Sequence, residues 1–528
     1  MIKQERVRAL AIAAVALPGL LLSASIALAK EVSGPLTGSV PRAVCSPGDH
    51  TESGLQGQTT PQERSSGDSE RAYNCNLELV GQNQGEGNYS QDGPAYAGNC
   101  AYFGTDRITN LQQHHGMTVI DASDPQHPQV SAYLNDTAAA LAPHETPKVH
   151  AQRGLLAVGQ FAGPNFAVYD ISADCSHPVL KGSINMPGSI GHQGNFAPDG
   201  MTFYLTQNSF NIGDHVYIVD LSDPSNPQEL PPWQYLGDGR PHEVWFNATG
   251  TRMYAGQPGT FGQNFGLSGP DGLVIEDVSD YQFRRPNPQI RIISTLFWDD
   301  QGAAEPMYPF SSKGREYLVS SDEVGGNGGV GGAPAACARG ASPHGYPNII
   351  DITDETNPKI VAKLRLEVSD PANCALLLND PPEVGGGIPA YNEERCVTDR
   401  PNNPTMLACA FQMAGLRVFD IRDLSHPKEI AYWKPGGVRT QFLPGSTLWN
   451  PTADRTMDRV AGYPRFFTRV PGKGKAKGIG NGNGNGNGNG NGTQLELWIV
   501  GADNGFQILR FTDNFKGLHK DLLDDSGD

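Results

Sequence analysis

The chain has 528 residues, 38% of them hydrophobic and 18% charged, with a formal net charge of −17 at pH 7. That acidic balance excludes a nucleic-acid partner, which needs a basic footprint. It is compatible with cationic ligands or metal ions, although an acidic surface commonly serves only solvation.

In chain order, Lys3, Arg6 and Arg8 precede an apolar stretch from Ala9 that ends in Ala27-Leu28-Ala29. A basic start, an apolar run and an A-x-A ending predict a signal peptide over residues 1–29, cleaved before Lys30. Cleavage removes three basic side chains and Glu5, taking the charge from −17 to −19. Pro18 interrupts the apolar run, and no later segment approaches membrane-spanning length. The expectation is a secreted or periplasmic protein with no stable membrane insertion after cleavage. All 8 cysteines fall beyond residue 29, and an even number in an exported chain predicts disulfides. Cys374 with Cys396 is the first expected pair and Cys75 with Cys100 the second, with Cys409 read as a buried thiol. Residues 30–75, rich in Ser, Gly, Gln and Glu, read as a flexible N-terminal arm.

From residue 76 one pattern recurs: an apolar run closed by Asp, a Ser/Thr/Asp turn, then Pro. It is seen at residues 117–128 (MTVIDASDPQHP), 166–178, 216–227 (VYIVDLSDPSNP), 273–288, 348–358 and 415–427. A degenerate seventh copy at 506–514 carries Arg510 where the others carry Asp121, Asp170, Asp220, Asp277, Asp351 and Asp420. Repeats of about 50 residues, each holding four short β-branched and aromatic runs (A to D), predict propeller blades and not helical repeats. Each Asp is assigned a structural task, accepting hydrogen bonds from the turn that follows. The fold expected is all-β, a seven-bladed β-propeller over residues 76–515. The seventh repeat lacks a D strand, and residues 76–82 (NLELVGQ) resemble one, so an N-terminal strand should close the ring and protect its edges. Residues 480–492 alternate Gly and Asn and read as a flexible loop between strands A and B of the last blade. Residues 516–528 form an acidic tail.

These motifs, closest at Val216-Tyr217-Ile218-Val219-Asp220, resemble the LVIVD-repeat proteins, bacterial and archaeal propellers named for strand C. The resemblance covers roughly residues 76–515 and implies the fold. It implies no activity, because that group largely lacks assigned functions and a fold hosts many.

The long connections are B-to-C in blade four (256–271), B-to-C in blade five (322–347) and D-to-A before blades six and seven, all on one face. Long loops on one side of a rigid scaffold are where binding and catalysis concentrate. Counting back from Gly200 and Gly250 puts His192 and His242 at one position of strand A, and Pro143-His144-Glu145 copies Pro241-His242-Glu243. His144, His192 and His242 are therefore the candidate metal ligands, three imidazoles that suit Zn, Cu or Fe with one position open. Glu145, Gln193 and Glu243, with Asp322, Glu323 and His344 from the blade five loop, are the candidate ligand-binding residues. Two readings follow. One is an exported platform holding a small molecule, glycan or protein on the loop-rich face. The other is an extracellular metal-dependent enzyme, a lactonase-like hydrolase or His-ligated oxidase, with its site at the channel mouth.

Overall fold

The computed structural model describes residues 38–85, 90–104, 114–187, 191–206, 215–234, 241–258, 271–327, 332–377, 380, 391–438, 456–460, 462–469 and 494–518. Residues 1–29, expected to be a signal peptide, the Gly-Asn tract and most of the acidic tail lie outside them. Each repeat forms one antiparallel sheet, and there are seven. Blade three shows the plan: Gly194–Phe196, Thr202–Thr206, His215–Asp220 and Gln228–Gln234 pair in sequence order. Strands B and C are buried along nearly their whole length, as Thr202–Thr206 and Met117–Asp121 show, because blades stack on both their faces. The apolar core is accordingly a set of clusters between blades. Leu155, Val168, Phe203, Leu205 and Val219, for example, join blades two and three. Each such side chain contributes about 1.5–3 kcal/mol by leaving water.

The repeated Asp does what its position requires. Asp121, Asp170, Asp220, Asp277, Asp351 and Asp420 each accept a bond from the backbone N–H two residues on, at 2.8–3.0 Å. Blade seven has Arg510 there, and its guanidinium donates instead to the buried Glu496 carboxylate at 2.8 Å.

Leu77–Asn83 pairs antiparallel with Gly505–Phe511 and so supplies the D strand of blade seven. It is a D strand in detail. Its register shifts between Leu79 and Gly81, as that of blade two shifts between Leu180 and Gly182. At both glycines a Cβ would lie within 2.5 Å of a carbonyl in the next blade's turn, Pro125 and Pro224 respectively. Glycine is required there by close approach.

Residues 38–75 differ from the expected flexible arm. Tyr73–Cys75 pairs with Lys428–Lys434 as a fifth strand of blade six. The helix Pro61–Ser66 starts at a capping box of Thr60 and Glu63. Glu52 makes ion pairs with Arg417 and, at 3.0 Å, with Lys434, while Glu429 meets Arg417 at 3.1 Å. The polar composition that suggested disorder is spent on these buried pairs.

The disulfides are Cys45–Cys75, Cys100–Cys175, Cys337–Cys374 and Cys396–Cys409. Neither expected pairing forms, and Cys409 is not a thiol. Cys396 and Cys409 face each other in register on strands A and B of blade six. Cys75 reaches back to the arm, and Cys100 reaches the turn of blade two. Among the described residues no helix is long and apolar enough to cross a membrane.

Candidate functional site

Strand register fixes which side chains share a level of the central channel. The residue two before each strand C Asp pairs through strand B with one strand A residue. Ile218 leads to Tyr204 and Asn195, and Ile275 to Tyr254 and Trp245. Applied to every blade, this gives a ring of Ala95, Lys148, Asn195, Trp245, Tyr308, Val397 and Arg465. Two residues earlier in four of the blades stand Gln193, Glu243, Arg395 and Tyr463. One residue before Gln193 and Glu243 stand His192 and His242.

His192 and His242 donate their backbone N–H groups equivalently, to Thr206 and Gly256 carbonyls at 3.0 and 2.7 Å. Blade two absorbs its two extra residues in a turn in which Thr146 N–H bonds to Pro143 O. The Thr146 hydroxyl then bridges Gly159 N and O at 2.9 and 2.7 Å. His144 takes φ 45° in that turn, a left-handed conformation unusual for His and of the kind found at functional sites. Gly93 leaves room for Glu145, whose Cα would lie 2.5 Å from an added Cβ.

The three histidines converge. Nε2 of His192 and of His242 are 2.9 Å apart. The His144 and His192 rings are 5.1 Å apart between centroids. Glu145 lies between them, with Oε1 3.1 Å from His144 Nε2 and Oε2 3.3 Å from His192 Nε2. Glu305 Oε1 is 2.8 Å from His242 Nδ1. Two sets of possible ligand atoms result, His144–Glu145–His192 and Glu145–His242–Glu305, each within 4.8 Å and sharing Glu145. All are buried: His144, His192 and His242 are 1%, 8% and 2% exposed. The cluster is thus inside the channel and not at an open rim.

Electrostatics favours a neutral His242 ring and an ionised Glu145 carboxylate. Burial, followed by His192, pushes the His242 pKa well down, so its ring keeps a lone pair to offer. Burial alone would raise the Glu145 pKa, but His144 and His192 hold it well below the usual carboxylate range. Below the cluster, Arg395 reaches three carboxylates: Glu305, Glu145 at 3.2 Å and Glu243 at 3.6 Å. Lys148 Nζ is 3.4 Å from Glu243, and the Tyr463 hydroxyl donates to Glu243 at 2.8 Å. Three carboxylates therefore meet two side-chain cations, an excess of one acidic side chain.

Six of the nine expected site residues are brought together: His144, Glu145, His192, Gln193, His242 and Glu243. Asp322, Glu323 and His344 are not. The Asp322 carboxylate accepts backbone N–H bonds from Gly302, Ala303, Val324 and Gly325 at 3.0–3.2 Å and so folds its own loop. Glu323 donates its N–H to the carbonyl of Ala303, just before strand A of blade five, at 3.1 Å. His344 packs edge-on against Tyr391, where burial pushes its pKa down to about 3. Sequence reasoning missed Glu305, Arg395, Lys148 and Tyr463. Glu305 directly precedes the Pro306-Met307-Tyr308 triplet that broke the blade five pattern. Counting back from Asp351 and Asp420 along the pairing register finds it and Arg395.

Fold and site together define a β-propeller with a buried His–Glu cluster in its channel. A family model described as LVIVD repeat matches residues 212–231, in agreement with the seven-bladed propeller and the motif at Val216–Asp220. No curated protein sequence matches it significantly. Among solved structures it is similar to the periplasmic gluconolactonase PpgL of Pseudomonas aeruginosa, at TM-score 0.42 and 11% identity over 78% of this chain and 94% of that one. It is also similar to the Cps50 (Swd1) propeller domain of Myceliophteria thermophila, at TM-score 0.46 and 10% identity over 83% and 99%. Sqt1 of Saccharomyces cerevisiae matches at TM-score 0.41 and 10% identity over 80% and 96%. At such distances these likenesses carry nothing about activity.

Proposed function

We propose that the protein is an exported metal-binding propeller, in which His144, His192 and His242 hold a transition-metal ion and leave a position for a small-molecule ligand. The observation that carries this reading is the convergence of three imidazoles from consecutive blades around Glu145, with His192 and His242 nitrogens 2.9 Å apart. Nitrogens bound to one Zn at about 2.0–2.1 Å stand roughly 3.3 Å apart in a tetrahedral site, so only small ring movements separate the two geometries. The excess of one acidic side chain in the cluster supports a cation there. His192 Nδ1 has no hydrogen-bond partner among the described residues, which supports a ring that is free to turn.

With water as the remaining ligand, Glu145 and Glu305 are the carboxylates placed to take its proton, the arrangement of a metal-dependent hydrolase. Arg395 positions both. Export is supported by the four disulfides and by the leader-like residues 1–29.

The test is elemental analysis of the full chain purified without chelators, beside His192→Ala and a His150→Ala control. His150 caps its own turn, accepting from Arg153 N–H at 3.3 Å. About one transition-metal ion per wild-type and control chain, and its loss from His192→Ala, is the expected result. Metal-free wild-type protein that also takes up no Zn, Cu or Fe on dialysis would overturn the reading and leave a platform for a glycan or protein.

A further inference from the structure

The channel also opens into a cavity away from the His–Glu cluster. Beyond the level of Glu243, Arg395 and Tyr463, a cavity of about 790 Å³ widens toward the A-to-B turns, on the face opposite the long loops. Its volume is in the range of small-molecule sites, which combine aromatic walls with a few placed polar groups. The walls here are of that kind. Trp245 and Tyr308 meet edge-to-face at 4.9 Å, and Asn195 and Asn247 add amides.

Its charge is uneven. Lys148 lies on the wall, tied to Glu243. Arg465 lies there too, packed on the Tyr96, Phe467 and Trp498 rings at 5.5, 4.7 and 4.7 Å. Its guanidinium donates to the Gly98 carbonyl at 2.8 Å, and no carboxylate of the described residues is ion-paired with it. Glu496, an acid that acts on it electrostatically, is ion-paired with Arg469 and Arg510. The wall carboxylates stand apart from it: Glu355 is bound to Arg252 at 2.8 Å, and Glu316 is exposed at the mouth. A guanidinium on a cavity wall with donors to spare and aromatic faces around it is suited to a carboxylate.

The geometry points to a second ligand site in this cavity, for a ring compound that carries a carboxylate, with the ring against Trp245 and Tyr308 and the carboxylate paired with Arg465. The shared chemistry covers a sugar acid, whose C–H faces stack on aromatic rings, and an aromatic acid. The site is independent of any metal on the far side of Arg395.

Isothermal titration calorimetry of the full chain with sodium glucuronate, sodium benzoate, glucose and benzyl alcohol tests it. At least one acid should bind about tenfold or more tighter than its neutral counterpart, and which one does identifies the ring. Arg465→Gln should remove that preference. Asn195→Trp should weaken binding by narrowing the cavity beside Trp245, and it is a fold-compatible change because blade four carries Trp245 at the same level. No binding of either acid, neutral compounds binding as well as acids, or unaltered affinity in Asn195→Trp would each overturn the proposal. If Arg465→Gln fails to fold, Asn195→Trp and the acid–neutral comparison decide it.

Discussion

A single carboxylate shapes the turn after strand C in six of the seven blades. The Asp closing strand C turns the chain toward strand D by holding a backbone N–H two residues on, and Asp220 also accepts from the Ser222 hydroxyl at 2.6 Å. Asp220→Ala should cost about 1 kcal/mol in a denaturant melt, the worth of one local cap, while metal content stays unchanged. These Asp residues were legible in the sequence because six copies repeat one arrangement. His144, His192 and His242 were legible for the same reason. Arg395 and Glu305 were not, since strand A of blade five is bulged between Ala304 and Met307 and the A-to-B turn of blade six has no glycine to count from. Only the pairing register restores the alignment. The backbone bonds that Asp322 accepts were not legible, because a polar residue on a long loop looks alike in sequence whether it faces a ligand or holds backbone N–H groups.

At the scale of the element, the closing strand and the arm behave differently from what composition suggests. Gly81→Val places a side chain against the Pro125 carbonyl, 2.2 Å from an ideal Cβ. It should therefore lower the melting temperature of the whole ring, whereas Val80→Thr on the same strand should be mild. The arm is fastened by Glu52, a carboxylate that burial pushes up but that Arg417 and Lys434 hold near 2. Its folded pKa lies below its ordinary value of 4.5. Its stabilisation is thus fully present above about pH 4.5 and is lost as pH falls toward 2. Glu429 acts in the opposite direction, because burial outweighs Arg417 and raises its pKa. The informative comparison is wild type against Glu52→Gln. The variant should lose about 3–5 kcal/mol at neutral pH, because Arg417 is left buried with a weaker partner, and its stability should fall less between pH 4.5 and 2. Equal urea midpoints for the two proteins at pH 7 would show that the arm is not docked through this pair.

For the whole molecule, ring closure and arm docking make residues 38–83 part of the propeller. Deleting residues 30–84 removes the D strand of blade seven and should destabilise the entire ring. Deleting only 30–70 should also destabilise it, since Glu52 and the Cys45 partner of Cys75 go with it. A thermal melt of the shorter deletion that matches wild type would contradict this. The layering of the channel is a property of the assembled ring alone: Glu243, Arg395 and Tyr463 come from blades four, six and seven, and no single repeat announces the level they form. Sequence periodicity reveals what each blade shares. It is silent about what seven different blades place opposite one another.

The central claim is that the histidines of three blades hold one metal ion. X-ray absorption at the edge of whichever transition metal the protein retains reads this directly. The account predicts metal–nitrogen distances of about 2.0–2.1 Å for a zinc site, with outer-shell scattering from about three imidazoles, lost together in His144→Ala, His192→Ala and His242→Ala. A spectrum with sulfur neighbours or without imidazole scattering, or one unchanged in those variants, would contradict it.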